Sequence, residues 1–165
     1  MFTILQKRRE HYSNLYDDAP MPWMQRLTWD GIALHAGRVP GYPASHGCIR
    51  LPDAFAEVLF GATSHGMTVV ITDAASDPPA LASPGLFQPW DPERRAPRRA
   101  APPAGEGRWM PERAPEGPMT LVLSGADQTL LVLRNGVEIG RAHHPDAARK
   151  HRAGQTIRTA TRIGP

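Results

Sequence analysis

Proline divides this chain. Eleven of its 18 prolines fall between Pro78 and Pro118, and proline neither donates to a sheet ladder nor sits inside a helix without cost. A segment so short of amide donors and apolar mass reads as an extended or disordered linker over residues 76–118. Trp90 and Trp109 within it could dock locally, but no structure is assigned to the segment. Around it stand a patterned stretch, 1–75, a second patterned stretch, 119–142, and a basic tail, 143–165. With 165 residues, 41% of them hydrophobic, the chain has room for one domain with a core, or a smaller domain plus an appendage.

The patterned stretches read as mainly β. Phe2-Thr-Ile-Leu5 suggests a strand. Met24–Trp29 and Ile32–His35 flank Asp30-Gly31, a hairpin turn signal. Residues 36–47, punctuated by Gly37, Pro40, Gly41, Pro43 and Gly47, form an irregular loop. The spacing then predicts a short helix over 53–60, with Pro52 at its start, Asp53 at its positive end and Gly61 closing it. Phe55, Val58 and Leu59 share one face of that helix. Met67–Thr72 is a buried strand. Met119–Ser124 and Gln128–Arg134 form a hairpin around Gly125-Ala-Asp127, and Asn135-Gly136 turns the chain into a further strand at Val137–Ile139.

Charge excludes little. The formal net charge is +3 and the sequence pI about 9.5, and all 19 basic residues except Lys7 and Lys150 are arginines. The densest cluster, Arg94, Arg95, Arg98 and Arg99, lies among prolines and alanines, which fits a solvated stretch better than a nucleic-acid face. No apolar run is long enough to cross a bilayer as a helix. Met1–Leu5 is too short for a secretory signal and is followed at once by Lys7-Arg8-Arg9, which alone predicts a cytoplasmic protein. The single cysteine rules out an intrachain disulfide.

That cysteine sits in Ser45-His46-Gly47-Cys48-Ile49-Arg50, a short loop after His35. A thiol attacks carbonyls as its thiolate, and a nearby imidazole can take the proton. His35 ends a predicted strand, a rigid mount for a base. Gly47 lets the backbone approach a substrate, the amides of Gly47 and Cys48 suit an oxyanion, and Arg50 offers a fork to a carboxylate. Three further readings stand beside this one at the level of residues. A lone cysteine is also a small buried hydrophobe, histidines are also core residues, and His35, His46 and Cys48 would supply three ligands at most to a zinc ion.

Ile32-Ala-Leu-His35-Ala-Gly37 followed by Ser45-His46-Gly47-Cys48-Ile49-Arg50-Leu51 resembles the signature of the L,D-transpeptidase (YkuD-type) family over about residues 1–73. The resemblance implies a β-sandwich or barrel with one short helix after the active-site loop. It implies that Cys48 attacks the carbonyl of an L-centre amide in a peptidoglycan stem tetrapeptide, expelling D-Ala and leaving a thioester, with His35 as the base. Gly47, Ser45 and His46 would form the oxyanion and pocket residues, and Arg50 would meet a stem carboxylate. An amine acceptor gives a 3→3 cross-link; water gives a carboxypeptidase. No cofactor and no metal are implied, the partners are peptidoglycan stem peptides rather than nucleic acid, and the location is the periplasm or cell envelope. Tyr12 and Tyr16, with Asn14 and Met21–Met24, are candidates to line the substrate groove. His11, His65, His143, His144 and His151 are given no role.

The sequence departs from the family pattern in two ways. The loop from His35 to Ser45 is short, and the chain reads as beginning inside the domain, without the family's opening hairpin. Residues 121–141 resemble that missing hairpin, so the C-terminal module is expected either to cover a sheet edge of the catalytic half or to stand as an independent β-module. A catalytically impaired cell-wall-binding fragment is the reading from another function class.

Overall fold

The computed structural model describes residues 1–13, 18–39, 47–73 and 102–144. They form two β-sheets and one α-helix, a mainly β protein as expected. Strands β1 (Phe2–Thr3), β2 (Gln6–Arg8), β3 (Met24–Arg26), β4 (Ala33–Ala36) and β5 (Ile49–Leu51) precede the helix α1 (Asp53–Ala62). After it come β6 (Thr68–Thr72), β7 (Gly107–Trp109), β8 (Met119–Ser124), β9 (Thr129–Arg134) and β10 (Val137–His143). One sheet has the order β2-β3-β4-β5, the other β1-β6-β8-β9-β10-β7.

The chain first passes between the sheets at Ile4 and returns through α1. Ile4 is fully buried and bonds to both Gly66 and Met67, while the next amide, of Leu5, donates to the carbonyl of Arg26 in the other sheet. Turn chemistry sets the remaining register. Gly31 takes φ +110° in the β3–β4 turn, and Asn135 and Gly136 take φ +50° and +78°, the paired left-handed values that a tight twisted hairpin requires.

The C-terminal strands are part of the same body as the N-terminal half. β8 runs parallel to β6 with Thr68 opposite Thr120 through Thr72 opposite Ser124. Parallel neighbours need a crossover of a dozen residues or more, and residues 73–118 make that connection. One row of side chains crosses all six strands: Phe2, Val69, Leu121, Val132, Gly140 and Trp109. Leu121, Val132 and Val69 lie in one buried cluster with Leu34, Ile49 and Leu51 of the four-stranded sheet. The hydrophobic core is therefore shared between the two ends of the chain.

The expected linker is shorter at its C-terminal end. Residues 107–109 pair with β10 as an edge strand, and a 3-10 turn follows at Pro111–Arg113. Trp109 is the physical reason. Its ring lies over Gly140, where an added Cβ would come within 2.7 Å of it, and meets Phe55 of α1 edge-on with ring centroids 5.7 Å apart. The Phe55 ring in turn lies over Gly107, where a Cβ would approach to 2.6 Å. Two glycines thus make room for two aromatic rings, whose burial and edge contact outweigh the cost of ordering a few linker residues. Trp90 lies outside the described residues.

Helix α1 sits between this aromatic dock and β4. Its buried face is Phe55, Ala56 and Leu59, whereas Val58 is 39% exposed. The expected face of Phe55, Val58 and Leu59 is thus corrected: the helix approaches on the side of positions 55, 56 and 59. It also runs through Gly61 and stops at Thr63. The terminal carbonyls are met by Lys7, whose Nζ donates to Phe60 O and Thr63 O at 2.6 Å each and lies 4.3 Å above the Phe60 ring. Thr63 Oγ1 donates to the buried Gln25 Oε1 at 2.8 Å, so β2 and β3 both clamp the helix end.

Replacing Trp109 with Ala removes the dock between α1 and the C-terminal strands. The expected loss is about 3 kcal/mol of unfolding free energy, in the range for truncating a large aromatic side chain. Chemical denaturation followed by far-UV circular dichroism measures it; a loss below about 0.5 kcal/mol, typical of a surface site, would show that the dock carries no load.

Candidate active site

Parity along the strands decides which residues meet. In the four-stranded sheet Leu34 pairs with Ile49 and Ala36 with Leu51, and all four point into the core. The alternate residues must point the other way. Two rows result on that outer face. His35 pairs with Arg50 directly, and continuing the β3–β4 register brings Met24 beside His35 and Arg8 beside Met24. In the second row Arg26 lies between Gln6 and Ala33, and the parallel register puts Cys48 next to Ala33. Cys48 packs against the buried cluster of Met21, Met24 and Ala33, which confirms its face.

The parallel pairing of β4 with β5 therefore brings His35 and Cys48 to one surface from positions thirteen residues apart in sequence. His35 is only 7% exposed, and its Nδ1 is 2.7 Å from the carbonyl oxygen of Ala36. A carbonyl can only accept, so Nδ1 carries a proton. In the neutral ring that leaves the lone pair on Nε2, the tautomer a general base needs. Cys48 Sγ donates to the Gly31 carbonyl at 3.2 Å, so the sulfur is a thiol in this state and that bond must break before attack.

Glycine is required on one side of this pair. Gly47 takes φ +137°, a backbone region that side chains avoid, directly before the thiol. At Gly37 an added Cβ would touch the Arg50 stem at 3.4 Å and His35 Cε1 at 3.6 Å. The Arg50 chain and the His35 ring thus meet beside Gly37, at ordinary contact distance.

A second cationic group shares the face. Arg26 Nε donates to Gln6 Oε1 at 3.1 Å, and its Nη2 lies 3.3 Å from His11 Nε2. A guanidinium can only donate, so His11 accepts and is neutral. Burial, with the charges of Arg26 and Arg8, holds His11 below the ordinary value of 6.5. Trp29, 71% exposed, lies beside the guanidinium.

Of the residues singled out in the sequence, the structure brings His35, Gly47, Cys48 and Arg50 together. Tyr12 is 58% exposed in the β2–β3 connection, one residue beyond His11. Ser45, His46, Tyr16 and Asn14 lie outside the described residues. Sequence reasoning missed Arg26, Gln6 and His11. The available signal was strand parity: with the hairpin turn at Asp30-Gly31, Arg26 falls opposite Ala33 and hence on the face of His35. Among the described residues no group of three or more His, Cys, Asp and Glu side chains is placed to hold a metal ion, and no helix is long and apolar enough to cross a membrane.

Residues 1–71 match the family model of the YkuD L,D-transpeptidase catalytic domain. No curated protein and no solved structure gives a significant match to the chain.

The lowered histidines make stability depend on pH in a defined direction. Burial also lowers His143, against a smaller opposing contribution from its backbone bond to Gln128. As pH falls through 6.5 the unfolded chain takes up protons that folded His11 and His143 still refuse. Stability is then full above that value and lost below it. Denaturant titrations from about pH 7 to about pH 5 should show a falling unfolding free energy, less steep in His11→Gln. A flat profile, or a slope unchanged by the substitution, would contradict the tautomer assigned to His11.

Proposed function

We propose, from the premise that residues 1–71 belong to the L,D-transpeptidase family, that this chain is a cysteine acyltransferase acting on peptidoglycan stem peptides in the bacterial cell envelope. The observation that carries it is the bond between His35 Nδ1 and the Ala36 carbonyl, on the sheet face that also presents Cys48. In the neutral ring that bond makes Nε2 the proton acceptor.

The chemistry follows from those two groups. His35 Nε2 takes the thiol proton as the Gly31 bond is released, and the sulfur attacks the L-centre carbonyl of a stem tetrapeptide. The amides of Gly47 and Cys48 stabilise the oxyanion. The C–N bond to D-Ala breaks, the leaving amine takes the proton from His35, and a thioester on Cys48 remains. An amine from a second stem then attacks the thioester, giving a 3→3 cross-link and returning the thiol. Arg50, whose stem packs on Gly37 beside His35, pairs with a stem carboxylate; Ser45, His46, Tyr12 and Tyr16 complete the pocket rim. The β8–β9 hairpin stands in the place of the family's opening hairpin, a reading supported by its parallel pairing with β6.

Intact-mass spectrometry of the full chain with tetrapeptide muropeptides tests this. The expected result is an acyl adduct with D-Ala release, absent in Cys48→Ala and slowed about a hundredfold or more in His35→Gln, the usual worth of a positioned base. An adduct that survives in Cys48→Ala, or no adduct and no D-Ala release in the native chain, would refute the acyl-transfer reading. Release of D-Ala without transfer to an added amine would make the activity a carboxypeptidase.

A further inference from the structure

We propose that Arg26 is a carboxylate-binding residue of the Cys48 site. The inference rests on the transpeptidase reading only for the identity of the anion, not for the existence of the anion site. Three observations carry it. First, Arg26 lies on the same face and in the same cross-strand row as the thiol, separated from Cys48 by Ala33 alone. Two strand spacings amount to about 10 Å between backbones, with Ala33, buried against Met21 and Met24, between them.

Second, the guanidinium is held in place by groups that do not neutralise it. Gln6 Oε1 accepts from Nε and the neutral His11 Nε2 from Nη2. Among the described residues no carboxylate stands within ion-pair distance of Arg26, and Nη1 makes no hydrogen bond. An arginine oriented in this way, half-buried and without a counter-ion, is pre-organised for the bidentate grip that guanidinium gives a carboxylate. Third, a further positive charge acts on the same histidine. Arg8, next but one to Gln6 on β2, acts on His11 with Arg26, and the exposed Trp29 ring covers the guanidinium from the side.

Arg26 and Arg50 lie in the two different rows, so they meet different parts of a bound peptide. On the transpeptidase reading the Arg26 ligand is a carboxylate of the acyl donor, either its C-terminal carboxylate or the one ending the side chain of its third residue.

The test uses the full chain and the reactivity of Cys48, its single thiol. Alkylation by iodoacetate, an anion, is compared with alkylation by the neutral iodoacetamide. Arg26→Gln is expected to lower the ratio of the two rates about fivefold or more, with the iodoacetamide rate unchanged as the control for folding, and added salt is expected to lower the ratio in the native chain. Arg26→Lys should retain part of the ratio, because it keeps the charge and loses the fork. A ratio in Arg26→Gln equal to that of the native chain overturns the proposal.

The source of the carboxylate is read by protection of Cys48 against iodoacetamide. Tetrapeptide, tetrapeptide amidated at its C-terminus and tetrapeptide amidated at the third side chain are compared in native and Arg26→Gln chains. The amidation that abolishes the difference between the two chains identifies the carboxylate bound. If neither amidation changes protection, Arg26 does not bind the donor and the assignment falls. A lowered iodoacetate ratio with no protection by any peptide would leave the anion site standing and retire the transpeptidase reading instead.

Discussion

The parallel pairing of β6 with β8 is the contact on which the rest of this structure depends. Without it β6 would expose a ladder edge, and the core face of the six-stranded sheet would end at Val69 and Ile71. With it, Leu121 and Leu123 extend that face by direct register, and β9 and β10 follow through hairpins. A parallel neighbour cannot be reached by a tight turn. The proline-rich stretch supplies the long connection, and its residues 107–109 return to the same sheet as an edge strand.

The same pairing governs the chemistry through α1. The helix packs on β4, which carries His35, and its Phe55 is held by Trp109 and the glycine gaps of β7 and β10. Its C-terminal end is fixed by Lys7 and Gln25. β4 is thereby backed by a helix supported from both halves of the chain, by Lys7 and Gln25 at one end and by Trp109 at Phe55.

What was legible in the sequence was local. Asp30-Gly31 and Asn135-Gly136 marked their turns because left-handed φ values have few tenants. The Ser-His-Gly-Cys run and His35 marked the candidate site because their chemistry is rare in combination. Less was legible where the outcome depended on contacts between distant segments. Val58 was read into the buried face of α1 because spacing alone does not say from which side a sheet will approach. Trp109 lay inside a proline-rich segment, and its docking depends on two glycines, one of them 31 positions away in sequence at Gly140. Arg26 was passed over because its meaning lies in the register linking β2, β3 and β4, not in its neighbours along the chain.

Hydrogen–deuterium exchange on the intact native chain tests most directly whether residues 1–73 and 102–144 are one cooperative unit. The amides of β6 and β8 are expected to exchange slowly and together, with protection equal to that of β4 and β9, since all open in one event. Protected amides in β8, β9 and β10 alongside fast exchange throughout β4, β5 and β6 would contradict it, because the two ends of the chain would then fold as separate bodies.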